Sequence, residues 1–316
     1  MAISSVLGSS ALAPAGLGFR NVIVNGGMDV WQRGTSGFAT SDGTYTADRW
    51  RHTSNNLTIT QDTDVPSGFR YSAKLVGTSD NSFAQRIEAA VASKLAVKQV
   101  YLSFWAKRTS GTGALDVRFY YPSATDNFTT NTQIGSTIVV SSSPSSSWTY
   151  YTATLILPSN VSTGLMVLIN NVGAATTFIT GVQLEQNNVP TPFEQRPIGV
   201  ELQLCQRYYE NSGYPKYSIP TAVTGQGAYI AAANAYRLCS DVYFKVTKRD
   251  VPTVTIYNTN DLASGSTTEF LAGTGFITNR TSTVLYPSTT KFGVESSAQF
   301  ATGREYNFSW KAEIEL

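Results

Sequence analysis

A short Pro-rich stretch constrains this fold most strongly, because it lies between two long series of predicted β-strands. Its prolines, Pro190, Pro192 and Pro197, fix their own φ and push the preceding residue out of the α region. The stretch therefore predicts a stiff, extended connector between two domains. The chain has 316 residues, which is also the length expected of roughly two domains.

A short helix is predicted directly after the connector and ends near Glu210. Its apolar side chains recur at the spacing of one helical stripe, at Ile198, Leu202, Cys205 and Tyr209. Two interpretations of this stripe stay open. It resembles a coiled-coil seam on a trimer axis, although about a dozen residues are too few for an independent coiled coil. Docking of the helix on its own domain is equally compatible with the pattern.

Composition narrows the class of protein and of partner. Aromatic residues make up 12% of the sequence, and Gly, Ser, Thr and Asn interrupt short apolar runs, which is typical of all-β proteins. Charged residues make up only 14% and the net charge is +2, so we expect no nucleic-acid binding. No run approaches the ~20 apolar residues of a membrane helix, and the start of the chain lacks the features of a signal peptide. We therefore expect a soluble protein that is made in a cytoplasm and does not insert into membranes.

Several strands are predicted in the first half of the chain. Val22 and Val24 alternate ahead of an Asn-Gly-Gly turn at residues 25–27, which predicts a strand that turns and resumes. The clearest hairpin is KQVYLSFWAKR, TSGTG and ALDVRFYY, in which both strands alternate strictly. Further strands up to residue 190 complete a β-sandwich of the size of one domain. The apolar face of the hairpin comprises Val100, Leu102, Phe104, Ala106, Leu115, Val117, Phe119 and Tyr121.

The opposite face of the predicted hairpin combines flat rings, charges and hydroxyl groups. Sugar rings stack an apolar C–H face on an aromatic side chain while polar neighbours bind their hydroxyls, so such a face suits a glycan. The alternative is that a second sheet or a loop covers Trp105. The candidate glycan-binding residues are Tyr101, Trp105, Lys107, Asp116, Arg118 and Tyr120.

The second half of the chain ends in the most regular alternation of the sequence. This pattern predicts a half-buried strand, apolar on one face and polar on the other, that holds the C-terminus in a sheet. Between the strands, the loop ENSGYPKYS offers Tyr214 and Tyr217 as candidate receptor contacts, since binding residues concentrate on loops. The apolar face of the last strand comprises Tyr306, Phe308, Trp310, Ala312, Ile314 and Leu316.

Residues that could carry catalysis or bind a metal are few. His52 is the single histidine and has no nucleophile motif near it, so neither a catalytic triad nor a His-based metal site is expected. Cys205 and Cys239 make no disulfide framework, and one disulfide or two small buried thiols both fit the sequence. With 21 Asp and Glu residues, no carboxylate pair can be singled out. We expect no catalytic residue and no cofactor.

Six segments that follow one another along the first half of the chain carry a family resemblance. They resemble the jelly-roll modules of the family-4/9-like carbohydrate-binding type that occur in bacteriophage tail fibres. The longer forms NVIVNGGMDVWQRG and FEQRPIGVELQLCQRYYE, and VYFKVTKRDVPTVTIYN in the second half, are similar to phage tail-fibre proteins in particular. The resemblance implies a virion component, commonly trimeric, that recognises a bacterial surface polysaccharide. The six segments are NGGMDVW, YSAKLVG, FAQRIE, VYLSFWAKRTSG, SWTYYTATLILP and ITGVQLEQNNVPTPFEQRP.

A structural calcium ion is a frequent feature of such modules. It is held partly by an acid in an NG-x-x-E motif and partly by an acid near the last strand. Asp29 matches the first position, but Thr180 and Gly181 stand where the second acid is expected. We therefore expect no bound metal, and Asp29 matters only if a calcium ion is present.

The sequence predicts an all-β protein of two β-sandwich domains joined by a Pro-rich connector and a short helix. The predicted parts are an N-terminal attachment arm (1–20), a jelly-roll domain (21–190), the connector and helix (191–210) and a C-terminal β-sandwich (211–316). The resemblance implies a tail fibre or adhesin of the virion, a homotrimer that contacts other virion proteins through residues 1–20 and binds host cell-surface polysaccharide without catalysis. Two alternatives stay open: a non-adhesive virion component, such as a head decoration or a fibre-to-baseplate adaptor, and a polysaccharide depolymerase.

Overall fold

The computed structural model describes residues 19–187, 189–212, 229–230, 235–237, 241–259, 261–271, 275–300 and 304–316. Tyr214, Tyr217, Cys239 and nearly all of the predicted arm lie outside these ranges. The described residues form two compact units. One contains the residues up to Arg196, apart from 32–34, together with Leu316, and the other contains 32–34 and the residues from Pro197 to Glu315. The predicted domain limits at residues 190 and 210 stay predictions.

The first unit is a sandwich of two antiparallel sheets. Its strands are β1 (Trp50–His52), β2 (Leu57–Asp62), β3 (Ser72–Gly77), β4 (Asn81–Ile87), β5 (Gln99–Gly111), β6 (Leu115–Ala124), β7 (Asn127–Gln133), β8 (Ile138–Ser141), β9 (Thr149–Ile156), β10 (Leu165–Asn171) and β11 (Ala175–Glu185). The front sheet has five strands in the order β2-β3-β11-β5-β9. The back sheet has six, in the order β1-β4-β10-β6-β7 with β8 also paired to β6. A helical turn, α1 (Ala89–Ala92), precedes β5.

The hydrophobic core of the first unit lies between the front and back sheets. Alternate side chains of β5, such as Leu102 and Phe104, meet those of β6, such as Val117, and all three are fully buried. Trp50 of β1 stacks on Phe83 of β4 with 4.7 Å between the ring centroids. Because each large apolar side chain stabilises the fold by about 1.5–3 kcal/mol when buried, period-two alternation is enough to define this interior.

The predicted hairpin of β5 and β6 is wrong. β5 pairs with β11 and β9 in the front sheet, whereas β6 pairs with β10, β7 and β8 in the back sheet. The chain therefore crosses from one sheet to the other at residues 112–114. Arg108 holds this crossing, because its buried guanidinium donates to the carbonyl oxygens of Gly113 and Ala114. A Gly-containing loop between two alternating strands predicts a turn, but it does not determine which strands pair.

The strand predicted around Val22 is also wrong, since residues 19–49 form irregular structure. The segment is nevertheless ordered by polar contacts with the rest of the unit. Val22 N donates to Leu184 O at 3.0 Å, and the buried Asn25 amide donates to Val30 O at 2.8 Å. Trp50 Nε1 donates to Asn25 O at 3.0 Å. Single backbone bonds and side-chain hydrogen bonds thus replace a strand ladder in satisfying this buried backbone.

The second unit is one antiparallel sheet preceded by a helix. Its elements are α2 (Ile198–Gln206), β12 (Tyr209–Asn211), β13 (Tyr229–Ile230), β14 (Ala235–Arg237), β15 (Val242–Tyr243), β16 (Thr253–Asn258), β17 (Ser266–Leu271), β18 (Gly275–Leu285), β19 (Lys291–Phe300) and β20 (Glu305–Glu313). Within the described residues of this unit, nine strands follow the order β12-β20-β17-β18-β19-β14, with β13 and β16 on β20 and β15 on β19.

The nine-stranded sheet curls around its own hydrophobic core. β19 and β20 are separated by two other strands, yet Phe292 of β19 lies 5.5 Å from Trp310 of β20. Phe244 contacts both rings at 5.6–5.7 Å between centroids. Since the two ends of the sheet share these contacts, the unit is a β-sandwich. The predictions of an all-β protein and of two sandwiches joined by a Pro-rich connector and a short helix are confirmed.

Two details of the predicted second domain differ from the structure. The last strand ends at Glu313, and its polar face is not open, because Asn307 and Ser309 are buried beside strands paired on both sides. The helix ends at Gln206, so Tyr209 lies in β12 and not on a helical stripe. Among the residues of α2, Ile198 is 51% exposed.

Tyr209 therefore does not belong to a helical stripe, and the choice between a seam on a trimer axis and docking of α2 on its own domain stays open. The buried residues of this helix are Glu201, Cys205 and Gln206, two of which are polar. Among the described residues, no helix has the length and hydropathy needed to cross a bilayer.

Stability of the first unit is expected to fall between about pH 7 and pH 5 because of His52. The side chain is fully buried, neither ring nitrogen has a hydrogen-bond partner, and burial lowers its pKa from 6.5 to about 4. The unfolded chain takes up the proton near pH 6.5 while the folded protein resists it, so the free energy of unfolding declines below that pH by up to about 1.4 kcal/mol per pH unit.

Urea unfolding followed by tryptophan fluorescence measures this slope. Since His52 is the single histidine and carboxyl groups titrate at lower pH, the variant His52→Leu is expected to lose most of the slope in this window. An unchanged slope in that variant would refute the assignment.

Stability of the second unit is expected to depend on the ion pair between Lys248 and Glu210. Both side chains are fully buried, and Lys248 Nζ also donates to Gln206 O at 2.6 Å. Lys248→Met leaves the Glu210 carboxylate buried without its cation, which should cost about 3–5 kcal/mol of unfolding free energy. The control is Lys291→Met, whose partner Asp241 lies in an ion pair with both side chains at least 41% exposed, so that its loss should cost no more than about 1 kcal/mol. Equal losses in the two variants would contradict this expectation.

Candidate functional site

The predicted glycan-binding residues lie on two separate surfaces. Because β5 buries Leu102, Phe104 and Ala106, its alternate residues Tyr101, Trp105 and Lys107 lie on the outer face of the front sheet. By the same alternation in β6, the other three candidates lie on the outer face of the back sheet. The hydrophobic core separates the two groups, so they do not form the single platform that the hairpin predicts. The second group comprises Asp116, Arg118 and Tyr120.

The front surface gathers more aromatic side chains than the sequence predicts. β9 pairs with β5 so that Tyr150 lies opposite Trp105, with 5.3 Å between the ring centroids and 52° between the ring planes. Next to this pair, the edge of Trp148 meets Phe178 of β11 at 6.4 Å. Tyr150 is 37% exposed, whereas Phe178 is buried at the base of the cluster. We call the surface formed by Trp105, Lys107, Trp148, Tyr150 and Phe178 the aromatic face.

An irregularity in β11 shapes one border of the aromatic face. The register of β11 against β5 shifts between Thr180 and Gln183, and Gly181 within this shift has φ of +65°. A Cβ atom at Gly181 would lie 2.6 Å from Cζ of Phe69 and 3.2 Å from Cδ1 of Trp105. Glycine therefore permits both the backbone conformation and the close approach of Phe69 beside Trp105.

The Pro-rich connector covers the other end of the front sheet. Thr191 N donates to Glu185 Oε1 at 2.8 Å, and Glu194 N donates to Gln183 Oε1 at 2.8 Å. Gln183 is fully buried under this cover, and the neighbouring Ser103 is 2% exposed. The connector thus covers the front surface at its end near Tyr101, while Tyr150 stays exposed. Trp105, which in the alternative would be covered by a second sheet or a loop, is half-buried.

Charges on the aromatic face occur in opposite pairs. Lys107 forms an ion pair with Asp64, which also accepts a hydrogen bond from Trp148 Nε1 at 3.0 Å. The hydrogen bond from the Lys107 ammonium holds the pKa of Asp64 below its usual range. Lys74 Nζ lies 3.9 Å from Asp62 Oδ2 in the neighbouring strands. The face is therefore balanced in charge and carries one well-exposed carboxylate, that of Asp64.

The polar groups on the outer face of the back sheet bind one another. Asp116 accepts hydrogen bonds from Arg118 Nε at 3.0 Å and from Asn170 Nδ2 at 2.9 Å, and Asn170 accepts one from Ser82 Oγ at 2.8 Å. Tyr120 donates to Gln133 Oε1 at 3.2 Å. These side chains form a ladder across β4, β10 and β6, so much of their hydrogen-bonding capacity is already used within the sheet.

Asp29 and Cys205 are the remaining described candidates for metal binding and for a disulfide. Asp29 is half-buried in the irregular segment before β1. Within the described ranges, no group of three His, Cys, Asp or Glu side chains could hold a metal ion. Cys205 is buried in α2, while Cys239 lies outside those ranges, so their pairing stays open.

Sequence reasoning missed three members of the aromatic face and the carboxylate that is bound to it. Trp148, Tyr150, Phe178 and Asp64 belong to segments distant from β5 in the sequence. The alternation Trp148, Tyr150, Thr152, Thr154 could have indicated one shared strand face. It could not indicate that β9 pairs with β5, which is what brings Tyr150 beside Trp105.

The structure has distant similarities to solved proteins. It is similar to the enzymatically active domain of tailspike protein 4 of bacteriophage CBA120, with 16% identity over 53% of this chain and 21% of that one, and a TM-score of 0.35. For a sugar-binding protein from Bacteroides thetaiotaomicron the identity is 14%, over 53% of this chain and all of that one, with a TM-score of 0.40. A carbohydrate-binding module with its xylanase from Clostridium thermocellum has 10% identity, over 54% and 29%, with a TM-score of 0.38. At these TM-scores the similarities carry no argument about ligand or activity. No protein-family model and no curated protein sequence matches the chain.

Gly181→Ala is expected to distort the border of the aromatic face. The new Cβ adds left-handed strain of about 1–2 kcal/mol and also displaces Phe69. The control Gly68→Ala has φ of +90° but no heavy atom within 4 Å of its Cβ, so it carries the strain alone. Thermal unfolding and near-ultraviolet circular dichroism compare the two variants. Gly181→Ala should lose more stability and alter the tryptophan signal, and identical behaviour would contradict the packing argument.

Proposed function

We propose that this chain is a glycan-binding protein without catalytic activity and that the aromatic face is its binding site. The observation that carries the proposal is the half-open pair of Trp105 and Tyr150, which offers flat apolar surface on the same face as Trp148, whose Nε1 donates to the Asp64 carboxylate. Aromatic rings in contact with solvent lose the stabilisation that burial would provide, and a sugar ring restores it by stacking. Polar groups at the rim of the stack then bind the hydroxyls.

Neighbouring groups on β9 suit the same ligand. Thr152 and Thr154 follow Tyr150 on the outer face of the strand, and both are exposed. The Thr152 hydroxyl can donate and accept, as sugar hydroxyls do, whereas the Thr154 O–H donates to Val100 O at 3.0 Å and leaves its oxygen as an acceptor. Both can extend the contact along the strand. A shallow surface of this kind gives weak contacts for each sugar residue, which fits a chain that binds through several copies at once.

The finer proposal is a phage tail fibre or adhesin that binds a host cell-surface polysaccharide as a homotrimer. It is supported by the ordered sequence segments that resemble phage tail-fibre proteins. In this proposal the protein is located on the virion, and residues 1–20 attach it to other virion proteins. The avidity of three sites compensates for weak individual sugar contacts.

Binding to host lipopolysaccharide or capsule is expected to require the front surface. Trp105→Ala and Tyr150→Ala should each weaken binding by about tenfold or more, which corresponds to at least about 1.4 kcal/mol of stacking free energy. Tyr120→Ala on the back sheet is the matched control and should bind like the wild type. Binding is measured by surface plasmon resonance on immobilised polysaccharide, with folding checked by circular dichroism.

The same experiment distinguishes the alternatives. Loss of binding in Tyr120→Ala with retention in Trp105→Ala would move the site to the back sheet. Shortened polysaccharide chains after incubation would indicate a depolymerase. A protein that binds no host polysaccharide would favour the non-adhesive virion component and would overturn the proposal.

A further inference from the structure

We propose that Asp64 makes the aromatic face selective for neutral glycans against glycans that carry carboxylate, sulfate or phosphate groups. The inference rests on the proposed glycan-binding function and specifies its ligand class. It depends on where the Asp64 carboxylate is held, on how many of its acceptor positions are occupied and on how the neighbouring cation is covered.

Asp64 is fixed in position by its main chain and its side chain. Its N–H donates to Asp62 Oδ1 at 2.9 Å, and its carbonyl oxygen accepts from Ser72 Oγ at 2.8 Å. In the carboxylate, Oδ1 accepts from Trp148 Nε1 at 3.0 Å and Oδ2 accepts from Lys107 Nζ. The carboxylate is thus held at the edge of the indole, where a sugar stacked on the aromatic face would place its hydroxyls.

The carboxylate keeps acceptor capacity for a ligand. An ionised carboxylate offers about four acceptor positions, and the two hydrogen bonds above use one on each oxygen. The Asp64 side chain is 45% exposed, so the remaining positions can be reached from solvent. Two neighbouring hydroxyls of one sugar residue can donate to them as a pair. Hydrogen bonds to a charged acceptor are stronger than neutral ones, so this contact favours ligands that present O–H donors.

The cation beside Asp64 is not available to an anionic ligand. The Lys107 side chain is only 12% exposed. Its ammonium lies 5.0 Å from the ring centroid of Phe178 and 5.5 Å from that of Trp148, so two rings and the Asp64 carboxylate surround it. A carboxylate, sulfate or phosphate on the sugar would have to displace Asp64 to reach Lys107. As long as Asp64 stays in place, its negative charge repels the anionic group of the ligand at short range, which disfavours binding.

The other charges of the front surface do not reverse this balance. Lys74 is paired with Asp62 and lies over the Phe178 ring at 5.4 Å. Because the hydrogen bond from Lys107 lowers the pKa of Asp64, the carboxylate stays ionised through the neutral and mildly acidic range. The selectivity should therefore be the same at about pH 5.5 and at about pH 8, well above the ordinary Asp pKa.

The test uses a glycan array of uronate-containing oligosaccharides printed in pairs, before and after chemical reduction of their carboxyl groups to alcohols. The full chain is applied as the wild type, as Asp64→Asn and as the matched control Asp80→Asn, which removes an exposed acid outside the aromatic face and keeps an oxygen acceptor for Gly173 N. The wild type should bind reduced members at least about tenfold more strongly than their acidic counterparts. Asp64→Asn should lose about tenfold on the reduced members, because a neutral acceptor is weaker, and gain on the acidic ones, because the negative charge beside the ligand is gone and Lys107 is no longer neutralised.

Asp80→Asn should keep the wild-type preference. Wild-type binding to acidic members that equals or exceeds binding to the reduced ones would overturn the selectivity, whichever variants fold. Selectivity that persists unchanged in a folded Asp64→Asn variant would overturn the role of Asp64. Absence of binding to every member and to host polysaccharide would overturn the proposed glycan-binding function itself, and the inference with it.

Discussion

Packing of β5 against β6 across the core of the first unit is the constraint on which the candidate site depends. β5 buries Leu102 and Phe104 in the core between the two sheets, where β6 buries its own apolar side chains. The remaining side chains of β5 and of β6 therefore lie on opposite outer surfaces of the sandwich. Trp105 faces outward because its neighbours in the strand cannot leave the core without losing about 1.5–3 kcal/mol for each large side chain. The core thus determines both the composition of the aromatic face and its separation from Asp116 and Arg118.

The second constraint on the site is the need to satisfy buried polar side chains at the end of β11. Gln183 and Glu185 at the end of β11 would be costly to bury alone, but the Pro-rich connector supplies N–H donors to both. A connector built of prolines offers few N–H groups of its own, so those of Thr191 and Glu194 are the ones used. By covering this end of the front sheet, the connector limits the open surface to the region around Tyr150, and the register shift at Gly181 makes room for Phe69 at its border.

The charged residues of the two units have different roles. In the second unit Glu269 is fully buried and paired with Arg280 at 2.6 Å and Arg304 at 2.7 Å. These three charges therefore stabilise the fold. On the aromatic face the Asp64 side chain is held by Lys107 and Trp148 but remains well exposed. A carboxylate that is held in place but still reaches solvent suits the recognition of a polar ligand, because a preorganised group loses little freedom on binding.

Much of the fold could be predicted from the sequence because its information is local. Alternation with a period of two identifies which side chains of β5 point into the core, since a side chain in a strand can point only to one face or the other. Three prolines within a few residues define an extended connector from backbone sterics alone. The apolar spacing after them predicts the helix α2 but not its buried side. Nine residues carry too weak a pattern for this, and tertiary contacts bury Glu201 and Gln206 instead.

Local patterns are therefore enough to predict an all-β chain with a Pro-rich junction and the inner and outer sides of a strand such as β5. The folded arrangement adds that β6 leaves β5 for the other sheet and that β9 brings Tyr150 to Trp105. It also decided that Asp64 reaches Lys107 and Trp148 from a distant loop. The reason is physical: alternation specifies the two faces of one strand, whereas the choice of partner strand depends on hydrogen bonds and packing between segments far apart in the chain.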